Sequence, residues 1–518
     1  MKSDTMRFTL RILAAWALFF GSAAAGGTSL EPPEFEEDWY VVTMQDQPCG
    51  YMHSIFKRVG KEVHSQTNTK IEIRRGPTIV KMVMDQTHRE TLDGKPLGFK
   101  YVLSMGAVPE TSVGTVEGDV IALTTEQYGV KKTKRYPFDP EIRFGWGQML
   151  AQRERGLAPG TTFTLKTYDS TLKTDGPIDV EFKVHGKESI EVLGRKKRLH
   201  RVTASMKLEQ APMGMPGAEG GMTIDSDVWL EDDLKPIVTT VNMGFLKMRM
   251  YKTTKADALK GGAPPEMFLE TLVRTKERIG PDANMVKLKL SLKDGVKFRL
   301  PDLPNTDMQT FKRINDREAV VTIRRNDWDD AREVEKMEQD PALQEFLQAS
   351  AVCDAKDRKV RRLARKAVRG KKTPAEKADA LRKFVGGHII HKGMDVGFAT
   401  ASEVARNQSG DCSEHGVLLA ALARAAGLPA RGVTGIVEVP PGPFSPAKES
   451  AFGYHMWTQV YIGGQWLDLD AALRQTDCDP THIAISLMPL NDEGMINSIT
   501  SMIPLLGQLE IEILKVEP

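Results

Sequence analysis

Between residues 39 and 325 the chain repeats one pattern: short runs of alternating apolar and polar residues, broken by Gly, Asp and Pro. WYVVTM from Trp39, TIVKMVM from Thr78, TTFTLKTY from Thr161, DVEFKVH from Asp179 and MVKLKLSL from Met285 all show it. A period of two fits a strand, whose successive side chains point to opposite faces. β-Branched and aromatic enrichment supports the same reading, and strands in this number predict sandwich or open-barrel sheets. One stretch departs from it: IRFGWGQMLAQRERG, from Ile142, reads as a helix packed across a sheet. APMGMPGAEGGM, from Ala211, reads as a mobile hairpin tip. Its Met213, Met215 and Met222 sit among Gly and Pro, which marks a loop rather than a soft-metal site.

The length of 518 residues allows about three domains at ~100–200 residues each. Lys+Arg 71 against Asp+Glu 69 leaves a net charge of +2, without the cationic field that general nucleic-acid binding requires. At the start, Lys2, Arg7 and Arg11 precede an apolar run at 12–20 and the small residues GSAAA at 21–25. That order predicts a secretory signal peptide cleaved after Ala25, its apolar core being shorter than the ~20 residues of a spanning helix. The expected product is exported, periplasmic or secreted, with no integral membrane segment after cleavage. Four cysteines, Cys49, Cys353, Cys412 and Cys478, are too few for a disulfide scaffold. If one is a working nucleophile, at most one disulfide forms among the other three.

Near residue 327 the pattern turns helical and charged. KDRKVRRLARKAVRGKK, from Lys356, reads as a solvated helix face over a buried stripe of Val360, Leu363 and Ala367. In TPAEKADALRKFV, Thr373, Pro374 and Glu376 form an N-cap, a first-turn proline and a capping-box glutamate.

Two later segments carry chemistry. In GDCSEHGVLLAALARAAGLPARG, from Gly410, the stripe Val417, Leu418, Leu419, Leu422 and Ala425 predicts a helix that Gly427 and Pro429 end. Cys412 then opens that helix, where free N–H groups and the positive dipole end favour a thiolate. In YHMWTQVYIGGQWLDLDAAL, from Tyr454, two alternating runs flank Gly463-Gly464, a hairpin signal. A two-residue turn sets Ile462 opposite Gln465, Tyr461 opposite Trp466 and Trp457 opposite Asp470. One face then carries His455, Trp457, Gln459, Tyr461, Trp466, Asp468 and Asp470, and the other is apolar core. His455 lies diagonal to Asp470, about 7–8 Å apart at the backbone. A carboxylate so placed can orient an imidazole by accepting its ring N–H. Nucleophile, base and orienter are all present, the logic of cysteine acyl transfer.

The order of GDCSEH, ALARAAGLPARGVTG and HMWTQVYIGGQWLDLDAA, with MDVGFATASEVARNQSGDC upstream, resembles the transglutaminase-like core, a branch of the papain-like cysteine enzymes. The resemblance is close over about 80 residues. It implies an α+β fold: a helix-borne cysteine plus an antiparallel sheet, following the β-rich amino-terminal region. By resemblance Cys412 is the nucleophile, His455 the general base and acid, and Asp470 the orienting carboxylate. The family often has Pro-Thr after that aspartate, where this chain has Ala471-Ala472, a departure that bears on substrate type. Gln408 is a candidate oxyanion donor beside the Cys412 N–H, and Trp457 a candidate substrate contact. The implied reaction attacks a peptide-like amide and passes through a thioester, with water favoured over a lysine amine as acceptor.

No cofactor or metal is expected. His388 and His391 lie three apart without CxxC or HExxH nearby, which argues a structural role. Asp468 is read as a neighbour of the orienting acid, Asp411 and Glu414 as first-turn groups, and His482 as a strand position. The expected partition is an export segment at 1–25, a β-rich domain at 30–255, a further β-rich segment at 265–326, a charged connector at 327–375 and the catalytic domain at 341–518. The competing reading is a non-catalytic scaffold whose β-rich half grips a partner. Beside the catalytic reading, that half would recruit a protein or peptide substrate or bind a lipid-like ligand.

Overall fold

The computed structural model describes residues 32, 34–75, 78–104, 109–127, 129–169, 176–208, 222–243, 246–266, 271–280, 282–296, 298–334, 340–393, 399–439, 450–491, 505 and 507–518. The expected export segment, nearly all of the 211–222 loop, residues 394–398 and most of the helix-like run at 495–506 lie outside them.

The alternating half forms one 14-stranded antiparallel sheet. Its first strand, Phe35–Met44, is central: the second to eighth strands follow outward on one side in chain order, and the fourteenth to ninth on the other. The two halves join through a distant pairing, Trp39 opposite Thr253 through Met44 opposite Met248. The period of two is visible in Ile178–Val192, whose first nine residues alternate buried and exposed. Tyr40, Val42, Ile71, Phe182, Val202 and Met248 belong to the apolar face. The expected helical break is present as Gly145–Arg155, starting later than Ile142, which bridges Lys166 instead. Phe144 gives that helix no side-chain cap. Buried Glu90 replaces it, accepting from the Trp146 and Gly147 N–H groups at 2.9 and 2.8 Å. Burial outweighs those bonds and pushes the Glu90 carboxyl up to about 7.

The rest of the chain builds an α+β body around one apolar cluster that runs from Val273 to Ile511. Its first sheet orders Val273–Thr275, Ser450–Ile462, Ala430–Glu438 and Ile483–Met488, with Gln465–Leu469 hairpinned onto Ser450–Ile462. A second sheet joins Gln309–Arg313, Glu318–Arg324, Met285–Leu292 and the last strand, Leu509–Glu517. Strands from 265–326 therefore share a core with the region around Cys412, and so do Val352, Val360 and Leu363 of the charged connector.

Four helices, Arg358–Ala367, Pro374–His388, Ala401–Asn407 and Cys412–Ala425, pack together, the second and fourth of them against the first sheet. Asp357 caps the first of these, and Thr373 with Glu376 forms the expected capping box on the second. Val360 and Leu363 are buried as expected, joined by Ala364, with Ala367 packed at the margin. The Cys412 helix exceeds its expected stripe: every residue from Ser413 to Arg424 is buried. A helix apolar on all sides belongs in the middle of a core. Buried Arg424 ties its far end down, donating to the backbone oxygens of Ala430, Gln348 and Pro489. Among the described residues, no helix is long and apolar enough to cross a membrane.

Candidate active site

Cys412 is the first residue of its helix and is partly exposed. Asp411 caps it, accepting from Ser413 N at 2.9 Å, and Glu414 closes a capping box onto Asp411 N at 3.0 Å. Gly410 precedes them at φ 152°, and a Cβ there would run into the Cβ and Cγ of Glu414. Glu414 is fully buried and also accepts from Ala399 N at 3.2 Å. Burial, with Asp411 beside it, raises its carboxyl well above the usual range. The two acids thus hold the turn that presents the sulfur. His415 spends Nδ1 on Asp411 O at 2.6 Å, and burial lowers its pKa.

One turn along, Gly416 lies on the same face as Cys412 and against the His455 strand. Thr458 Oγ1 donates to Gly416 O at 2.9 Å, and a Cβ on Gly416 would stand 3.2 Å from Met456 Cε. This close approach brings Cys412 near the His455 ring, close enough for its charge to act on the ring.

The hairpin forms in the expected register. Gly463 and Gly464 take φ values of 63° and 86°, the positive pair that a two-residue I′ turn demands. Ile462 pairs with Gln465, Tyr461 with Trp466 and Thr458 with Leu469. The next expected pair, Trp457 with Asp470, is absent: Asp470 leaves the ladder and bridges Gln475. Its side chain still reaches back, and His455 Nε2 donates to Asp470 Oδ2 at 2.6 Å. The other ring nitrogen, Nδ1, is left for the sulfur.

Burial alone would lower the His455 pKa; the charges of Asp470 and Cys412 outweigh it and raise it to about 10. Burial works the opposite way on Asp470, but His455 and His482 hold that carboxyl far below the usual range. Asp470 Oδ1 accepts from Leu473 N at 2.8 Å, so both oxygens are committed.

Sequence reasoning missed His482. It stands one residue before the strand Ile483–Met488, fully buried, and its Nε2 reaches Asp470 Oδ2 at 3.2 Å. Its spacing from Asp470 matches neither a helix nor a hairpin, so no sequence pattern connects the two. Within the described residues His455, Asp470 and His482 form the one donor group compact enough for an ion, all within 4.8 Å. Both imidazoles address a single oxygen of Asp470, and hydrogen bonding accounts for the cluster.

Two expectations are corrected. Trp457 is 1% exposed, so it cannot meet substrate as placed; it donates to Asp468 Oδ1 at 2.8 Å and backs the His455 and His482 rings. Gln408 turns its carboxamide to His388 Nδ1 at 3.3 Å, which commits one of its two N–H groups away from an oxyanion. His388 donates from Nε2 to Ala405 O at 3.1 Å and stacks on Phe384, so its role is structural. The polar hairpin face is also less open than its composition implies. Asp468 is buried, accepts from Trp457 and Gln459, and is backed by Asn326, which donates to its carbonyl at 2.5 Å.

All four cysteines are free. Burial raises Cys49 to about 12 and Cys353 to about 11, and pushes Cys478 well above its ordinary value. These three are inert packing thiols, and Cys412 alone is accessible.

Comparison with known proteins places residues 361–471 in the family described as the transglutaminase-like superfamily. That span contains Cys412, His455 and Asp470, and the region is transglutaminase-like. No curated protein matches the chain. Among solved structures, a candidate cysteine protease from Cytophaga hutchinsonii is 16% identical at a TM-score of 0.31, covering 46% of this chain and 89% of that one. The β-barrel-like DUF1849 protein from Brucella abortus is 14% identical at 0.33, covering 44% and 98%. The periplasmic domain of TgpA from Pseudomonas aeruginosa, bound to ethylmercury, is 16% identical at 0.25, covering 42% and 87%.

Proposed function

We propose that this chain, with its transglutaminase-like region at 361–471, is an exported cysteine acyl-transfer enzyme acting on peptide-like amides through a Cys412–His455–Asp470 triad. The observation that carries the reading is His455 itself: Nε2 is bonded to Asp470 at 2.6 Å, and the ring lies near enough to Cys412 for the sulfur to act on its pKa. To react, Cys412 passes its proton to His455, which leaves a thiolate beside an imidazolium. The thiolate adds to the amide carbonyl, and the developing oxyanion meets the Cys412 backbone N–H at the helix start. His455 gives its proton to the leaving amine, and the C–N bond breaks to leave a thioester. Water, deprotonated by His455, then releases the acid and restores the thiol.

Water is taken as the acceptor because a partly exposed sulfur admits it with no dedicated acceptor site. Export rests on the basic, apolar and small-residue order at 1–25.

The test compares wild type with Cys412→Ala on a mixed peptide library, with and without a labelled primary amine. Peptide cleavage or ammonia release lost in the variant supports hydrolysis, and amine incorporation would reassign the enzyme to transfer. Identical product profiles from both proteins would leave a scaffold and refute the reading.

A further inference from the structure

His482 makes contacts that only one protonation state satisfies. Nε2 faces the Asp470 carboxylate at 3.2 Å. Nδ1 faces the Asp479 backbone oxygen at 3.1 Å and Asp479 Oδ1 at 3.4 Å. Carbonyl and carboxylate oxygens only accept, so both ring nitrogens must donate, and a ring donating from both is an imidazolium. The clamp is itself held: Asp479 accepts from Thr481 N at 3.0 Å and from Gln475 Nε2 at 2.7 Å. Trp457 closes one side, its ring edge-on at 5.1 Å.

We propose that His482 is a positioning residue of the site, a fixed cation that pins Asp470 and offsets part of its charge, setting how readily His455 releases its proton. This rests on Cys412 and His455 being the reacting pair. Acyl transfer needs two opposed things from His455: to stabilise the thiolate as a cation, then to give the proton away. A bare buried carboxylate would favour the first at the expense of the second. A second cation on the same oxygen, its ring 6.2 Å from His455, repels the His455 charge while still favouring the thiolate.

The other ionisable groups around His482 are Asp468, Asp479 and the buried Cys478 thiol. Burial disfavours the His482 charge, but Asp470 and Asp479 outweigh it and raise its pKa to about 9, in line with the geometry.

The test is the pH dependence of Cys412 alkylation by iodoacetamide, followed by peptide mapping, in wild type and His482→Gln. Glutamine keeps a donor and removes the charge. Losing a cation makes the thiolate harder to form and the imidazolium harder to deprotonate, so both limbs should move to higher pH by about one unit. Limbs that stay in place while the rate falls would make His482 structural only and overturn the proposal. If wild type does not alkylate Cys412 preferentially, the acyl-transfer reading fails and takes this inference with it. Should His482→Gln not fold, histidine-selective 15N NMR of wild type at pH 8 decides the matter. With His455 assigned through His455→Gln, a second ring protonated at both nitrogens supports the proposal, and its absence refutes it.

Discussion

Replacing Asp470 by Asn tests the centre of the site because the carboxamide fits in neither orientation. Oδ2 receives N–H donors from His455 at 2.6 Å and His482 at 3.2 Å, and Oδ1 receives the Leu473 N–H at 2.8 Å. If the amide nitrogen takes the Oδ2 position, it confronts two donors; if it takes the Oδ1 position, it confronts the backbone N–H. Either way buried donors are orphaned, His455 loses its counter-ion, and His482 is left with Asp479 alone. Removing one partner of a buried ion pair costs about 3–5 kcal/mol, a melting-temperature loss on the order of 10 °C. The chemical effect is larger. Without Asp470, burial is opposed only by Cys412, and His455 falls from about 10 toward or below its ordinary 6.5. At pH 8 the imidazolium fraction then drops about 30-fold, and disturbed ring orientation should bring the total loss to about 10³–10⁴. Iodoacetamide inactivation between pH 5 and 10 reads this without knowledge of the substrate. Asp470→Asn should lose its rapid alkylation above about pH 6.5, where wild type keeps it. A folded variant alkylating within threefold of wild type at pH 8 would refute the argument.

The same imidazoles give a pH dependence of stability. Their folded pKa values, about 10 for His455 and about 9 for His482, lie above the ordinary 6.5. The stabilisation is therefore complete below pH 6.5 and is lost as pH rises through 9 to 10, by up to about 3 kcal/mol for His482; a flat wild-type melting curve from pH 7 to 10 would contradict it. Gly416→Val should force the Cys412 helix off Met456 and Thr458, at a cost of about 1–3 kcal/mol and with slowed alkylation at full occupancy, measured by melting and by rate. Asn326→Leu should leave Asp468 backbone groups unpaired and lower stability by about 2–3 kcal/mol in denaturant titration. Glu90→Leu should cost about 2–4 kcal/mol by orphaning two helix N–H groups, while Cys412 alkylation stays unchanged.

What the sequence discloses follows chain distance. The hairpin around Gly463-Gly464 is local: turn type fixes its register, and the pairing matches residue for residue as far as Thr458 and Leu469. The Cys412 helix is local too, its start marked by Gly410 and its end by Gly427. In the β-rich half, alternation identifies which face each residue takes but not which strand lies beside it. Nothing near Trp39 names Thr253 as its partner, so a single sheet joined through its first and last strands is not legible. Side-chain engagement fails for a related reason. Composition marks Trp457 and Gln408 as polar-capable, yet Asp468 across the same hairpin takes the indole N–H, and His388, from another helix, takes an amide N–H of Gln408. His482 escapes notice because an irregular turn, closed by Asp470 and Gln475, carries it back to the site.

Asp468 and Asp470 show how much of the chemistry is environment rather than residue type. They stand two apart, both nearly inaccessible. Asp468 meets neutral donors, the Trp457 indole and the Gln459 amide, and burial wins, raising its pKa. Asp470 meets two rings that can carry charge; against the same burial their charges win, and its pKa falls. The first acid can only anchor, while the second can polarise. Hairpin register puts both acids on the His455 face, because side chains alternate with a period of two; they differ because Asp468 stays in the ladder while Asp470 leaves it to bridge Gln475. A slip of one residue would turn Leu467 and Leu469 toward His455 and bury both acids in the apolar layer under the Cys412 helix. The opposite face, with Val460, Ile462, Leu467 and Leu469 fully buried, forbids that slip far more strongly than any polar contact does. The apolar side of this hairpin therefore keeps both carboxylates on the face the imidazole occupies.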